Sequence, residues 1–381
     1  GIVCAAGRAD GTFGAQKFAF SEKYAFPAFD YPAEKGYNIR MNFPEGGKDN
    51  LMKKILMIAT GGTIASRSGP EGLEPELAPD ELLSRVPEIR DFCEPDCVQI
   101  FSIDSTNITP EHWIKIAETI RDNYGKYDGF VVCHGTDTMA YTAAVLSYMV
   151  QHSPKPIVLT GSQKPIDQED TDGRINLRDS FLYAASGTAS DVVIVFQGKV
   201  IAGTRAKKIR TKSFNAFDSV DFPELARIRD GKIIPYIVAP KRETPEFYLS
   251  LNRKVGLVCL TPGMDSELLD VCFRLNDAVV LSGYGTGGIP DGEYYGFYDV
   301  IGKWQDKGKT LVVTTQVQSE GSDMSIYRVG RGLKDRFSLL ESYDMTYESI
   351  LTKLMWILGQ TKDAEEIREL FYKSVNYDLI G

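Results

Sequence analysis

Residues 55–65 read ILMIATGGTIA, an apolar run that is interrupted by Thr60-Gly61-Gly62-Thr63 and then resumes. A short apolar run that ends at glycine is typical of a buried strand in a parallel sheet. The hydroxyls and glycines at its end fit three structures: a plain tight turn, a phosphate cradle, or a hydroxyl nucleophile held at the end of a strand. The rest of the chain helps to choose among them.

From Met52 onward, short Val- and Ile-rich runs alternate with helical stretches, as in a parallel α/β fold. The expected strands are residues 54–59, 98–103, 129–133, 156–160, 191–196, 255–260, 277–282 and 310–315. The expected helices include residues 110–123, 137–151, 174–186, 346–359 and 363–374. We therefore predict an α/β fold with a larger N-terminal domain, built on a doubly wound, mainly parallel sheet, and a smaller C-terminal α/β domain.

Composition and patterning divide the chain into four segments. Residues 1–51 are rich in Gly, Phe and Tyr without a helical or alternating pattern, so we expect a non-native or disordered extension; the alternative is a genuine accessory segment. Residues 52–235 are predicted to be the N-terminal catalytic domain. Residues 236–252 contain proline, lack a pattern and are predicted to be a linker, and residues 253–381 are predicted to be the C-terminal domain.

Charge and hydropathy exclude several classes of protein. The 381 residues carry a net charge of −9 without a basic tract, so we expect no nucleic-acid partner. No apolar run reaches the roughly 18 residues of a membrane helix, and no basic-then-apolar leader opens the chain. We therefore expect a cytoplasmic protein with no membrane partner. The six scattered cysteines are expected to be buried free thiols.

Polar residues cluster where four of the expected strands end, at residues 59–63, 102–107, 132–138 and 159–163. One such threonine is usually a cap or turn residue. Ligands of doubly wound sheets, however, bind beyond the carboxyl ends of the strands, so four clusters at one edge favour a site.

Phosphate, metal and histidine chemistry fit these clusters poorly. TGGTIAS lacks the lysine and the glycine spacing of a P-loop, and GYGTGG at 283–288 is followed by Pro290 instead of a helix start. Histidine occurs only three times and without ligand spacing, so we expect no metal and no cofactor. A threonine nucleophile would need a base such as a partly desolvated lysine, and residues 203–213 offer Lys207, Lys208 and Lys212. Composition does not choose among these lysines.

Two stretches, IATGGTIAS (58–66) and GFVVCHGTDTM (129–139), resemble the two signatures of the L-asparaginase/glutaminase family of threonine-nucleophile amidohydrolases. Similar matches occur at DSTNITPEHW, TGSQKPI, DGRINLRDS, AGTRAKK and DMTYESILTKL. The resemblance covers about residues 52–375 and is strongest to cytoplasmic members. It implies hydrolysis of L-asparagine to L-aspartate and ammonia by a homodimer or homotetramer.

The motifs also imply residue roles. Thr63 would attack the side-chain amide and form a β-aspartyl ester, while Thr136 and Lys208 relay protons to the leaving ammonia and then activate water. Asp137 would pair with the substrate α-ammonium, and Ser105 would hold its α-carboxylate. The further substrate-binding residues expected from the motifs are Gly62 and Thr106, with backbone N–H groups next to the glycines facing the carboxylate and the developing oxyanion.

The chain departs from the family pattern in the loop after TGGTIA, where many members carry a tyrosine that bonds the nucleophile and this chain has Leu73. Tyr327 matches a tyrosine that some members carry in the C-terminal domain, and is expected to replace it. Glu320 lies near the position at which the family brings an acid from a neighbouring subunit to the α-ammonium.

Two other functions stay open on the sequence alone. The asparaginase-like subunit of a tRNA-dependent amidotransferase resembles the same family, but adds an N-terminal barrel domain and acts on a tRNA complex. A non-catalytic amino-acid-binding protein on the same fold would not need Lys208 behind Thr136.

Overall fold

A computed structural model describes residues 52–69, 72–75 and 77–380. The predicted extension at residues 1–51 lies outside the described residues. In the part of the chain described, no helix combines the length and the apolar character that crossing a membrane requires.

Strands make up two main sheets and three short ribbons in this part of the chain. In chain order the strands are β1 (Lys53–Gly61), β2 (Ser66–Gly69), β3 (Gly72–Pro75), β4 (Cys93–Ile103), β5 (Gly129–Cys133), β6 (Val150–Gln151), β7 (Ile157–Thr160), β8 (Val192–Phe196), β9 (Lys199–Ala202), β10 (Ala206–Lys208), β11 (Phe217–Ser219), β12 (Ala226–Arg229), β13 (Lys232–Pro235), β14 (Glu246–Phe247), β15 (Val255–Cys259), β16 (Ala278–Gly283), β17 (Thr310–Thr315) and β18 (Leu340–Glu341).

The helices alternate with these strands as the sequence pattern predicts. They are α1 (Pro79–Ser84), α2 (Pro110–Asn123), α3 (Met139–Met149), α4 (Gly173–Ala184), α5 (Glu267–Leu275), α6 (Phe297–Gln305), α7 (Arg328–Arg336), α8 (Tyr347–Gln360) and α9 (Ala364–Tyr372). Short 3₁₀ turns follow β1 at Thr63–Ala65 and β4 at Ser105–Asn107.

The larger sheet has eight strands in the order β13-β12-β9-β8-β7-β5-β1-β4. From β4 to β8 all neighbours are parallel, and β9, β12 and β13 complete the sheet with antiparallel pairings. Buried side chains on both faces explain why the central strands read as unbroken apolar runs. The carboxyl ends of β1, β4, β5 and β7 lie at one edge, so the polar clusters that follow them are neighbours in space.

The smaller sheet is fully parallel, in the order β15-β16-β17-β18. The larger parallel-dominated sheet and this smaller sheet confirm the predicted fold class. β15 lies at the edge of its sheet, so its side chains are less covered than the apolar run suggests, and Cys259 is exposed. The expectation that the cysteines are buried is therefore wrong for Cys259.

Several predicted segments differ from the structure at their ends or in their content. The helix predicted at 137–151 is α3, Met139–Met149, because Asp137 lies in a turn and residues 150–151 pair with β14 as β6. The segment predicted to be a linker, 236–252, contains β14, and its role as a domain boundary stays a prediction. The two sheets are joined by helix packing, in which Tyr148 of α3 stacks on Trp356 of α8 with ring centroids 5.9 Å apart.

Candidate active site

The turn after β1 is built by two glycines with positive φ. Gly61 has φ 101° and Gly62 has φ 82°, a region that favours glycine. A Cβ at Gly61 would lie 2.6 Å from the backbone of Ile103, and one at Gly62 would lie 2.4 Å from the nitrogen of Gly135. These contacts bring the end of β1 against the ends of β4 and β5 and place Thr63, half-buried, beside residues 134–138, the HGTDT loop.

The hydrogen bonds of this turn change one expectation. Thr60 donates its hydroxyl to the Cys133 carbonyl at 2.8 Å and so ties β1 to β5. The Gly62 N–H donates to the Ile103 carbonyl at 3.2 Å. It is therefore engaged at the sheet edge, and its predicted contact with substrate would require this bond to break.

Ser105 connects the end of β4 to the HGTDT loop. Its side chain is buried, and its Oγ accepts the Asp137 N–H at 3.2 Å, while its carbonyl accepts the Thr138 hydroxyl at 2.8 Å. A Cβ at Gly135 would lie 2.6 Å from Ser105 Oγ, so the loop can approach this closely only with glycine there. As an acceptor from Asp137, the Ser105 hydroxyl keeps its own proton for a further acceptor.

Of the three candidate lysines, Lys208 is the one that bonds to the HGTDT loop in the described structure. Its Nζ donates to Thr136 Oγ1 at 2.8 Å and to Asp137 Oδ1 at 2.6 Å. The Lys208 side chain is 15% exposed and that of Asp137 is 55% exposed, so the pair lies at the boundary between protein and solvent. The arrangement places a cation within hydrogen-bond distance of both a hydroxyl and a carboxylate.

Sequence reasoning gave no role to Gln163, which completes the hydrogen bonds of Thr136. The Thr136 hydroxyl donates to Gln163 Oε1 at 3.1 Å, and the Gln163 amide nitrogen donates to the Ser213 carbonyl at 3.2 Å. With Lys208 donating to Thr136 and Thr136 donating to Gln163, the direction of both bonds is fixed. The signal was present in TGSQKPI, because Gln163 follows β7 at the same edge of the sheet.

His134 is buried behind the site and anchors it. Its Nδ1 lies 2.7 Å from the Gly135 carbonyl, so this nitrogen carries the proton, and its Nε2 accepts the Thr142 hydroxyl at 2.9 Å. Thr142 in turn accepts the indole N–H of Trp113 at 2.9 Å. Burial lowers the pKa of His134 to about 4, so the ring is neutral at physiological pH. This supports a loop-anchoring role over a base in a triad.

Three predicted residues lie apart from this cluster. Thr106 is exposed and donates its hydroxyl to Asp104 at 2.7 Å. Tyr327 is 63% exposed and precedes α7, and Glu320 is exposed with φ 76° and donates its N–H to Asp221. No hydrogen bond in the described part of the chain joins any of the three to Thr63, Thr136 or Lys208. Leu73 lies on β3, which pairs with β2 shortly after the turn that carries Thr63. In residues 52–69, 72–75 and 77–380, no group of three or more His, Cys, Asp or Glu could hold a metal ion.

Two family models match nearly all of the chain from residue 54 onward. The one described as "Asparaginase, N-terminal" matches residues 54–238, and the "Glutaminase/Asparaginase C-terminal domain" matches residues 254–371. The chain belongs to the asparaginase family. The family resemblance predicted from the motifs is thereby confirmed.

Curated relatives in this asparaginase family are of two kinds. An L-asparaginase of Thermococcus kodakarensis is 36% identical over 332 residues, 86% of this chain and 99% of the relative. L-asparaginase 1 of Escherichia coli K12 is 33% identical over 342 residues, with 86% and 99% covered. One subunit of the glutamyl-tRNA(Gln) amidotransferase of Methanosphaera stadtmanae is 34% identical over 348 residues, 86% of this chain and 77% of the relative.

Solved structures agree with the asparaginase fold. The thermostable L-asparaginase of Thermococcus kodakarensis superimposes with a TM-score of 0.81 at 36% identity, over 86% of this chain and 99% of that one. A probable cytoplasmic L-asparaginase of Campylobacter jejuni has a TM-score of 0.73 at 27% identity, over 84% and 100%.

Proposed function

We propose that this asparaginase-family chain hydrolyses the side-chain amide of L-asparagine to L-aspartate and ammonia through an ester on Thr63. The observation that carries the proposal is the hydrogen bond of 2.8 Å between Lys208 and Thr136. Thr136 lies in the HGTDT loop, whose Gly135 contacts Gly62, the residue before Thr63. A lysine behind a threonine hydroxyl is a device for moving protons, and a binding protein has no use for it. The likeness to L-asparaginases supports amidohydrolase activity.

In the first half-reaction, the hydroxyl oxygen of Thr63 attacks the amide carbon of the substrate. The carbon–nitrogen bond breaks, and the nitrogen leaves as ammonia after taking up the proton that Thr63 loses. Lys208 gives one of its protons to the leaving nitrogen through the Thr136 hydroxyl, to which it donates, and then takes up the proton that Thr63 loses. In the second half-reaction, water attacks the ester carbon and passes one proton through the same chain to the departing Thr63 oxygen, so that the carbon–oxygen bond to Thr63 breaks and aspartate and free Thr63 result.

The two charged ends of asparagine need opposite partners, and the cluster supplies both. Asp137 uses one carboxylate oxygen for Lys208, which leaves the other for the α-ammonium group. The Ser105 hydroxyl, with its proton free, is placed to donate to the α-carboxylate. Thr106 would have to turn away from Asp104 to take part, and Glu320 would have to come from a neighbouring subunit.

Activation of Thr63 is assigned to Tyr327, carried on a second subunit or by movement of the residues before α7. Its exposed position leaves its hydroxyl free for such a contact. Tyr327→Phe should slow the release of ammonia in the pre-steady state by about tenfold or more. Unchanged rates would remove this role.

The decisive experiment measures ammonia release from free L-asparagine by the purified chain. Thr63→Ala, Thr136→Ala and Lys208→Met should each lower kcat by about a hundredfold or more. Lys207→Met is the matched control, because Lys207 is the neighbouring lysine on β10 and its Nζ lies over the Tyr347 ring, 5.0 Å from the centroid. It should keep kcat within about twofold. A parent chain that releases no ammonia would contradict the proposal.

The 34% sequence identity to an amidotransferase subunit supports a second candidate function, as a subunit of a tRNA-dependent amidotransferase. That function predicts that ammonia release depends on a partner subunit and a charged tRNA. Full activity of the isolated chain on free asparagine would exclude it. A third function, amino-acid binding alone, predicts asparagine binding that is equal in the parent and in Thr63→Ala, with no product from either.

We further propose a cytoplasmic location and a homodimer or homotetramer. The similarity to a probable cytoplasmic L-asparaginase supports the first of these. Light scattering on the purified chain measures the second.

A further inference from the structure

The strand that carries Lys208 receives little support from its own sheet. β10 is three residues long, and β11 is its only partner among the described strands. Two-stranded ribbons are marginally stable by themselves. The position of the Lys208 ammonium therefore depends on what holds the chain immediately before β10, at Thr204 and Arg205.

Both residues are buried, and their polar side-chain groups bond to the C-terminal part of the chain. Thr204 is 1% exposed and Arg205 is 0% exposed. The Arg205 guanidinium donates to the Tyr377 carbonyl, and to the carbonyl and carboxylate of Asp344 at 2.8 and 2.7 Å. Thr204 Oγ1 donates to the Asn376 carbonyl. No polar atom of this guanidinium is left to solvent, so its position is set by these acceptors.

The carbonyls of Asn376 and Tyr377 come from a strained turn. The two residues have φ of 48° and 66°, a region that non-glycine residues adopt rarely. Asp378 holds the turn: its Oδ1 accepts the Val375 N–H, directly before the turn, at 2.8 Å, and its Oδ2 accepts hydrogen bonds from Lys353 Nζ at 2.7 Å and from the Tyr148 hydroxyl at 2.9 Å. The side chains of Lys353 and Asp378 are both 0% exposed.

We propose that Arg205 and the turn 376–378 form a positioning element that sets the distance between Lys208 Nζ and Thr136 Oγ1. The inference rests on the proposed function, which gives Lys208 its role. Arg205 lies in the turn directly before β10, and Lys208 is the last residue of that strand, three residues further on and therefore within about 10 Å along the chain. A shift of the guanidinium is therefore transmitted along the backbone to the ammonium, and misplacement by about 1 Å slows catalysis strongly.

Asp378→Asn tests the element, because it keeps the shape of the side chain and removes the charge that pairs with Lys353. We expect kcat to fall by about tenfold or more. KM should change less than kcat, since Ser105 and the backbone of Asp137, whose N–H donates to Ser105 Oγ, are held without Lys208. A purely structural role would lower the folded fraction without this split between kcat and KM.

Glu341→Gln is the matched control. Glu341 is also a buried carboxylate, 1% exposed, that accepts one backbone N–H, from Met324, and one lysine, Lys334, both at 2.7 Å. It forms no hydrogen bond with Thr204 or Arg205 in the described structure. It should lose less stability than Asp378→Asn, because Lys334 is 35% exposed and can turn to solvent, and it should keep kcat, per folded molecule, within about twofold of the parent.

Thr204→Val provides a milder test if Asp378→Asn does not fold, because it removes one hydrogen bond to the turn from a side chain of similar shape. Its kcat should fall by about threefold to tenfold with KM unchanged. A crystal structure of either variant should show Lys208 Nζ displaced from Thr136 Oγ1. Equal kcat in Asp378→Asn, Thr204→Val and Glu341→Gln, with Lys208 in place, overturns the inference and leaves the proposed function intact. A parent that releases no ammonia overturns the proposed function and, with it, the role of the element.

Discussion

Gly62 has the least freedom to change among the residues of the candidate site. Its φ of 82° already disfavours a side chain, and the Gly135 backbone occupies the place of its Cβ. Because Thr63 follows directly, any relaxation of this contact moves the proposed nucleophile away from the HGTDT loop. The glycine is required for close approach between two strand ends, as well as for the turn itself.

Gly62→Ala should therefore lower the free energy of unfolding by more than about 2 kcal/mol, from strain and overpacking together. It should also lower kcat by about tenfold or more. Gly187→Ala is the control, since Gly187 has φ 71° but no atom lies within 4 Å of the position that its Cβ would take. Gly187→Ala should lower the free energy of unfolding by about 1 kcal/mol and leave kcat unchanged. Equal effects of the two variants in urea unfolding and kinetics would contradict the close-approach argument.

At the scale of elements, the ends of β4, β5 and β7 and the N-terminal part of α3 act together. His134 at the end of β5 is linked through Thr142 of α3 to Trp113 of α2, in a chain of buried hydrogen bonds. The end of β7 approaches as closely, because a Cβ at Gly161 would lie 2.2 Å from the His134 carbonyl. The neutral imidazole thus fixes the loop that presents Thr136.

This neutrality makes stability depend on pH in a defined direction. The pKa of His134 is lowered to about 4 in the folded chain by burial, whereas an unfolded histidine titrates near its ordinary value. As the pH falls through that value toward 4, the unfolded state takes up a proton that the folded state does not. The free energy of unfolding should therefore fall by about 3 kcal/mol from this residue between pH 7 and pH 4.

His134→Gln removes the titrating group and isolates its effect. In urea titrations at pH 7 and pH 4, the parent should lose about 3 kcal/mol more than the variant does. Identical losses in the two proteins would show that His134 does not titrate as its burial predicts.

On the scale of the whole molecule, the proposed site draws on distant parts of the chain. Lys208 and Thr136 are 72 residues apart in sequence, and Arg205 bonds to Asp344, 139 residues further along. Glu320 and Tyr327, by contrast, make no hydrogen bond with Thr63 or Thr136 of their own chain in the described residues. An assembly in which these two residues serve a neighbouring subunit accounts for their exposed positions.

Complementation tests this assembly. Thr63→Ala and Glu320→Ala should each be impaired at subsaturating asparagine, the first in chemistry and the second in substrate binding. Mixing the two under conditions of subunit exchange should restore part of the activity, because some hybrid sites would hold both intact residues. Hybrids that form by native mass spectrometry but gain no activity over Glu320→Ala alone would place Glu320 in the site of its own subunit, and an unimpaired Glu320→Ala would place it outside the site.

Local sequence determined much of the fold. The strands at 129–133 and 310–315 and the helix at 110–123 have the predicted bounds, because unbroken burial and a capped amphipathic pattern are local signals. β4, however, begins five residues before its predicted start, at Cys93. Its added residues, CEPDC, include two acids and a proline, which a strand tolerates at the edge of a sheet, and the strand order alone reveals that β4 is an edge.

Local sequence and tertiary structure also determined different features of the candidate site. The sequence by itself determined that hydroxyls and acids follow neighbouring parallel strands, and its motifs singled out Thr63, Thr136, Asp137 and Lys208. Tertiary structure decided that Lys208 contacts Thr136 and that Gln163 accepts a hydrogen bond from the Thr136 hydroxyl. It also decided that the Gly62 N–H is already bonded to the Ile103 carbonyl. Periodicity and turn chemistry are encoded within a few residues. The reach of a side chain across the sheet edge depends on packing between segments far apart in the chain, which no local pattern records.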